Sequence, residues 1–328
     1  MRQASTQPAM MRIAIAGGGG FAYILAQQIT QSANAVLVIS QNPHPEFEND
    51  FPGCQVAEVD FTNVEELRYT LQGVDLLIST ISGSEQLDLI DAARQARVRL
   101  FVPSEFEGDI DHRPANDPLD RQHGARDQLE HFARSVSNPM RFTVFSCGIF
   151  MERFAPGGLE AYRIGAGSGV QTPNDYLLNV EEGTGEIVET NAAGRPGRVA
   201  LTSVYDLARF IAAAIEIGPG NWPREFKMRG DTMNVRDIVA TCEAVRRVPF
   251  NVVSRTYQDA ESEALDCEHG GPQYLSRWLY LQRLLQTANG RYQVRGTNLV
   301  EVINQNPATR INPPVRLRQW LEHIWGPA

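Results

Sequence analysis

Ile13-Ala14-Ile15-Ala16-Gly17-Gly18-Gly19-Gly20-Phe21, running on into an apolar helical pattern as far as Ile29, is the stretch on which the reading of this chain turns. Four small or β-branched residues make a buried strand, and the glycines end it where a helix begins. Backbone N–H groups can gather round a diphosphate only where no side chain intervenes, which glycine alone permits. The N-terminus of the next helix adds free donors and the positive end of a dipole. A flexible linker is the plain alternative, but a linker does not sit between a buried strand and an amphipathic helix. Gly17, Gly18, Gly20 and Phe21 are therefore candidate cofactor-binding residues.

Outward from that turn, the chain alternates β-branched runs with helical patterns up to about residue 146. Strands are expected at 12–16, 35–40, 55–59, 74–80, 98–102 and 141–146, the pattern of βαβ units wound onto a parallel sheet. Thr62-Asn63-Val64-Glu65 reads as a capping box opening one of the intervening helices. The fold class expected is α/β, a doubly wound parallel sheet with a second, smaller α/β domain. Ligands of such sheets bind at the carboxyl ends of the strands, where the strand order reverses. This adds Ser40, Asp60, Thr80, Ser82, Pro103, Ser104 and Phe106 as cofactor candidates, and Glu105, Gly148 and Phe150 as substrate candidates. After Phe150, glycine-rich stretches at 157–169 and 182–197 read as loops able to cover a ligand. A strand from Arg198 and a helix at 204–217 are expected to return to the sheet. The division expected is a flexible tail at 1–11, a dinucleotide domain of 12–152 plus 198–218, and a substrate domain of 153–197 plus 219–328.

The 328 residues are 42% hydrophobic, enough for one large or two modest cores. A formal charge of -9 argues against nucleic acid and anionic membranes as partners, both being polyanions. A small-molecule substrate is the expected partner. Cys54, Cys147, Cys242 and Cys267 are far apart and include no C-x-x-C pair, so neither a disulfide scaffold nor a metal site is expected, and a cytoplasmic setting with reduced thiols is. No segment approaches the roughly eighteen apolar residues of a membrane span. Of the 30 lysines and arginines, only Lys227 is a lysine.

Three runs carry a resemblance to a known family: Val74-Asp75-Leu76-Leu77-Ile78-Ser79-Thr80, Gln86-Leu87-Asp88-Leu89-Ile90-Asp91-Ala92-Ala93, and Val98-Arg99-Leu100-Phe101-Val102-Pro103-Ser104-Glu105-Phe106. Together they resemble the NmrA-like and isoflavone-reductase-like branch of the atypical short-chain dehydrogenases. Gly148-Ile149-Phe150, the run from Leu201 to Phe210 and Trp320-Leu321-Glu322-His323-Ile324-Trp325 look like its fungal members. The resemblance implies a Rossmann domain holding NADP(H), a small C-terminal substrate domain, and often reduction of an aromatic or alkaloid-type secondary metabolite. Some members sense the dinucleotide and bind a protein partner instead.

Three positions depart from the family pattern. Tyr23 stands where a third glycine lets helix and strand pack closely. It must displace the helix or point aside, and Ala14 and Ala16 are expected to give it room. Ser40, with Gln41 and Asn42, ends the second strand where the family usually has an arginine. With no carboxylate to repel a 2′-phosphate, NADP(H) is expected over NAD(H). Arg126 falls on the family's catalytic lysine. A guanidinium stays protonated and can only donate hydrogen bonds or hold an anion.

His123 is the proton donor expected, three residues before Arg126 and four before Asp127, so that the three share a helix face. The competing reading of that face is a salt-bridged surface of His123, Arg126, Asp127, Glu130 and Arg134. The function expected is an NADP(H)-dependent oxidoreductase working by hydride transfer on a small aromatic or alkaloid-type metabolite, with Arg126 and His123 catalytic. The alternatives are a dinucleotide-sensing regulator without catalysis and an isomerase or cyclase whose cofactor site has decayed, for which Tyr23 is the motive.

Overall fold

The computed structural model describes residues 10–110, 113, 117–120, 124–166, 168–307 and 309–326. The greater part of the expected 1–11 tail, and His123, lie outside these residues. The first part of the chain alternates strand and helix: β1 (Arg12–Ala16), α1 (Gly20–Ile29), β2 (Ala35–Ser40), α2 (Pro45–Asp50), β3 (Cys54–Glu58), α3 (Val64–Thr70), β4 (Leu76–Ser79), α4 (Ser84–Gln95), β5 (Leu100–Val102), α5 (Ala125–Ala133) and β6 (Arg141–Phe142). The six strands pair in parallel in the order β3-β2-β1-β4-β5-β6. This is the doubly wound α/β sheet expected, with its reversal of strand order between β1 and β4.

Period-two alternation decides which face each strand residue serves. Ile13 and Ile15 pack into a core with α1 and α6 (Val204–Ile217). Ala14 and Ala16 face the opposite core, with Leu67, Leu89 and Ala93. Strand β1 is therefore buried on both faces, which is why it reads as a continuous apolar run.

Beyond β6 the chain builds three small sheets. β7 (Val144–Ser146) pairs with β12 (Glu225–Lys227). β8 (Ile149–Phe150) and β13 (Asp231–Asn234) flank β11 (Arg198–Thr202). β9 (Leu178–Asn179) and β14 (Asn251–Arg255) flank β10 (Thr184–Val188). These sheets share a further core with α7 (Val235–Arg246), α8 (Tyr257–Gly270), α9 (Leu275–Ala288) and α11 (Leu317–Trp325). Leu299 and Ile303 of α10 (Leu299–Gln305), with Trp222, Phe226 and Met228, pack instead into the core that holds α1 and α6.

Four local expectations are corrected. The run 141–146 divides into β6 and β7 in different sheets, and the strand from Arg198 pairs with β8 and β13 instead of returning to the six-stranded sheet, on which only α6 packs. The stretch 182–197 is not loop throughout, because 184–188 is β10. Gly185 there lets the Leu177 backbone approach, since a Cβ on it would lie 2.4 Å from the Leu177 carbonyl. The capping box at Thr62 does not form. Asn63 caps α3 by accepting from Glu66 N at 3.2 Å, while Thr62 donates its hydroxyl to Asp60 at 2.7 Å. No helix among the described residues is long and apolar enough to cross a membrane.

Candidate functional site

The glycine turn meets the end of β4 at the reversal of strand order. Gly17 donates its N–H to the Ile39 carbonyl at 2.8 Å, and a Cβ on it would lie 2.3 Å from Thr80 Oγ1. Thr80 is itself fixed, its N–H and hydroxyl both donating to the Ala16 carbonyl at 2.8 Å. At φ +113 Gly17 adopts a backbone conformation closed to other residues, so the glycines form a packed turn and not a linker.

The surface of that turn is covered by the chain's own groups. A Cβ on Gly18 would lie 2.1 Å from His44 Nε2, and one on Gly20 only 1.6 Å from the Tyr162 carbonyl oxygen. The Gly20 N–H, the first of α1, donates to the Arg163 carbonyl at 2.8 Å. The 157–169 stretch, expected to cover a ligand, thus lies directly over the glycine turn. Phe21 turns its side chain inward, its ring 4.8 Å from Phe106 and 5.7 Å from Phe150. These three expected binding residues form an aromatic contact beside the turn.

Tyr23 points aside. Its ring lies 5.5 Å from Phe47 and 4.8 Å from Phe51 of the α2 region, and its hydroxyl donates to Asp50 at 2.6 Å. Ala14 and Ala16 do not provide its room, since they face the other side of the sheet. The reason given for a decayed cofactor site therefore falls away. That hydrogen bond to Asp50, with burial, holds the Tyr23 phenol above its ordinary pKa.

At the end of β2, Ser40 is buried and its hydroxyl accepts from Asn42 N at 3.4 Å. An open pocket of about 420 Å³ beside it is lined by Gln41, Glu58, Val59, Asp60 and Glu66. Asp60 is engaged in a local turn, accepting from the Thr62 N–H at 2.8 Å, which with the Thr62 hydroxyl keeps its carboxyl below the usual range. Ser82 is exposed in the connection before α4.

A cavity of about 330 Å³ opens beyond β5, and Pro103, Glu105, Arg113, Asp117, Arg126 and Asp127 are among its lining residues. It brings Pro103, Glu105 and Arg126 together from one turn and one helix. The α5 helix that carries Arg126 starts after Gly124, which at φ +88 turns the chain into it. Arg126 donates Nη1 to the Ile110 carbonyl at 3.1 Å, and its Nε lies 3.2 Å from Glu130, which also pairs with Arg134 at 2.7 Å. Arg126, Asp127 and Glu130 of the expected salt-bridged face thus also line the cavity, while Arg134 does not. Ser104 does not point its backbone N–H into the cavity; it donates to the buried Gln86 at 2.8 Å.

Arg113 and Asp117 join the cavity wall without a motif that marks them. Arg113 pairs with buried Glu105, and Asp117 with buried Arg291 at 2.6 Å. Burial raises the Glu105 carboxyl above its ordinary value, although Arg113 opposes it. Sequence spacing carries no sign of these pairs, because Arg291 lies in a distant segment. Lys227 is likewise brought close by the β7–β12 pairing, which sets it opposite Ser146. Its Nζ lies 3.1 Å from Glu225 and 3.4 Å from Asp109, and it does not line the cavity. Gly148, at φ +79, donates to the Glu107 carbonyl at 3.0 Å at the start of β8. Among the described residues no group of three or more His, Cys, Asp or Glu is placed to hold a metal.

A family model described as NmrA-like matches residues 11–254. The isoflavone reductase homolog A622 of Nicotiana tabacum is 31% identical over 108 residues, covering 31% of this chain and 34% of that one, so the match spans about a third of such relatives' length. Oxidoreductase swnN of Metarhizium robertsii is 25% identical over 290 residues, covering 80% of this chain and 79% of that protein. Among solved structures, AtPrR2 with NADP+ and (+)pinoresinol superposes with a TM-score of 0.67 at 16% identity, over 96% of this chain and 99% of that one. The NADPH-dependent quinone oxidoreductase QOR2 of Escherichia coli complexed with NADPH gives 0.64 at 16% identity, over 95% and 99%. At these identities the structural likeness concerns the fold.

Proposed function

The chain belongs to the NmrA-like family, and from that membership we propose that it is an NADP(H)-dependent reductase of a small aromatic or alkaloid-type metabolite. One observation carries the reading: a glycine turn that closes against Thr80 at the strand-order reversal shares the sheet's carboxyl edge with a polar cavity walled by Glu105 and Arg126. The oxidoreductase relatives and the neighbours complexed with NADPH and NADP+ support it.

The turn fits a diphosphate in kind, since Gly18, Gly19 and Phe21 supply Cβ-free approach and helix N-terminal donors. Ser40, Gln41 and Asn42 would face the 2′-phosphate, and Pro103 with Ser104 would border the nicotinamide. The bound cofactor would supply the hydride. The protein's part is to hold the substrate in the cavity and set its reacting carbon. Arg126 can donate hydrogen bonds there but cannot exchange a proton. An iminium-type substrate, already electrophilic, suits such a site.

Fluorescence titration with NADPH and NADH tests the cofactor half of this reading. Tighter NADPH binding is expected. Glu58 and Glu66 beside Gln41 make that comparison a demanding one, and absent binding of both would end the reading. For the cavity, we expect Arg126→Ala to lower turnover on the order of ten- to a hundredfold against an aromatic ketone and iminium panel. Arg126→Lys should retain more activity than the alanine variant. Unchanged turnover in both would remove Arg126 from the site. A dinucleotide-sensing role is the second reading, favoured by the arginine in place of a proton-exchanging lysine. A protein pull-down that responds to the NADP+ to NADPH ratio, without turnover, would support it.

A further inference from the structure

One of the donors that would greet a diphosphate, the Gly20 N–H, is already bonded within the chain, and two neighbouring groups lie over the glycines. Arg163 puts its carbonyl oxygen 2.8 Å from Gly20 N, where a phosphate oxygen would accept. The Tyr162 carbonyl fills the space a Gly20 Cβ would need, and His44 fills that of Gly18. A phosphate oxygen and the Arg163 carbonyl would compete for that one donor, and the Tyr162 carbonyl and His44 narrow the approach to the glycines.

The covering segment is a compact unit bounded by glycines. Gly157, Gly158 and Gly165 all have positive φ (+70, +63 and +78), and between them Leu159 to Ile164 forms a single turn closed by Ile164 N to Leu159 O at 3.0 Å. Leu159 and Ile164 are buried anchors in the core under α1. At the tip, the Arg163 guanidinium reaches Glu46 at 3.2 Å and stands 5.7 Å from the Tyr23 ring. Glu46 also holds His44 at 3.1 Å, so one carboxylate ties together both groups that lie on the glycines.

Resting on the cofactor reading above, we propose that residues 159–164 are a strap that occupies the diphosphate seat in the free protein and must swing out for a dinucleotide to bind. The apparent affinity is then the intrinsic affinity reduced by the fraction of molecules with the strap open. Anything that loosens the closed strap tightens binding. This also gives Tyr23 and α2 a role, since they hold the tip of the strap through Arg163 and Glu46.

The test is NADPH titration of the full-length protein and of two variants, with hydrogen exchange followed at 158–164. Arg163→Ala removes an exposed ion pair and should lower the NADPH dissociation constant roughly two- to fivefold. Ile164→Ala removes a buried anchor and should lower it more, by roughly tenfold. Saturating NADPH should speed exchange at 158–164 while Gly20 stays protected. NADPH binding with unchanged exchange and unchanged affinities in both variants would overturn the strap and leave the cofactor reading standing. Weaker binding by both variants would also overturn it, by making the segment part of the bound state. No binding by any of the three proteins would remove the cofactor reading and the strap with it. Binding by the variants alone would establish the strap in its strongest form.

Discussion

Gly148 has the Ala200 carbonyl oxygen 2.0 Å from where its Cβ would be, and holds φ at +79. Alanine there would meet backbone, which cannot step aside, and would also be strained. We expect Gly148→Ala to lower unfolding stability by more than about 2 kcal/mol, read as a lower urea midpoint at constant m-value. Glu152 offers a second residue-scale measurement. It is buried, accepting from the Ser203 hydroxyl at 2.6 Å and from Val204 N at 2.9 Å, and burial pushes its carboxyl up to about 7. Between the ordinary carboxylate range and that value, the unfolded chain has lost the proton while the folded one keeps it. Its contribution therefore weakens as pH rises through this window and levels off above about 7. Glu152→Gln should gain stability relative to the parent between pH 5 and pH 8, by up to about 3 kcal/mol. A constant difference across that range would mean that the carboxylate is ionised throughout.

At the scale of elements, the helices show which signals a sequence carries plainly. Helix α6 spans Val204–Ile217, as its apolar pattern indicates, and the structure adds Ser203 as its cap. Ser203 accepts from Tyr205 N at 3.3 Å while donating to Glu152. Ser203→Ala should therefore cost about 1 to 2 kcal/mol, measured by thermal or chemical unfolding, and a loss under a few tenths would deny it a capping role. Helix α1 was equally legible, but its capping was not. Gly19 offers no side chain, and the first N–H finds its acceptor in Arg163, more than a hundred residues on. β10 was missed because glycines at 183, 185 and 194 look like loop signals. Gly185 is there for the close approach of Leu177, a tertiary need that no local pattern reveals. The Thr62 box failed for a related reason, since Asp60 captured the Thr62 hydroxyl and left Asn63 to cap α3.

At the scale of the whole molecule, a chain of charges, buried except at Glu107, joins the loop after β5 to the segment after α9. Arg291 holds Asp117 at 2.6 Å and Glu107 at 2.5 Å, while Arg295 N donates to Asp109 at 3.0 Å and Asp109 N to the Gln293 carbonyl at 3.2 Å. Both side chains of the Arg291–Asp117 pair are 2% exposed. Removing one partner strands the other away from water. We expect Arg291→Met to cost about 3 to 5 kcal/mol, and the double variant with Asp117→Leu to recover a good part of that loss. Simple additivity of the two would show that the pair is not coupled. Because Asp117 lines the cavity, the network also fixes one of its walls.

The parallel sheet, its glycine turn and the strand ends that edge the crevice followed from the sequence alone, because strand and helix periods and the Cβ-free turn are local properties of neighbouring residues. Arg126 and Glu105, singled out through the family resemblance and the strand-end rule, line one cavity, being carried there by α5 and the turn after β5. Tertiary structure decided the rest. It placed Tyr23 against α2, set Arg113 and Arg291 on their carboxylates, carried Lys227 to the end of β7, and laid the Tyr162 and Arg163 carbonyls on the glycines. Apart from Arg113, whose Glu105 lies eight residues before it, each of these depends on a partner far along the chain, and only the packing of the folded molecule chooses which groups satisfy a given charge or N–H.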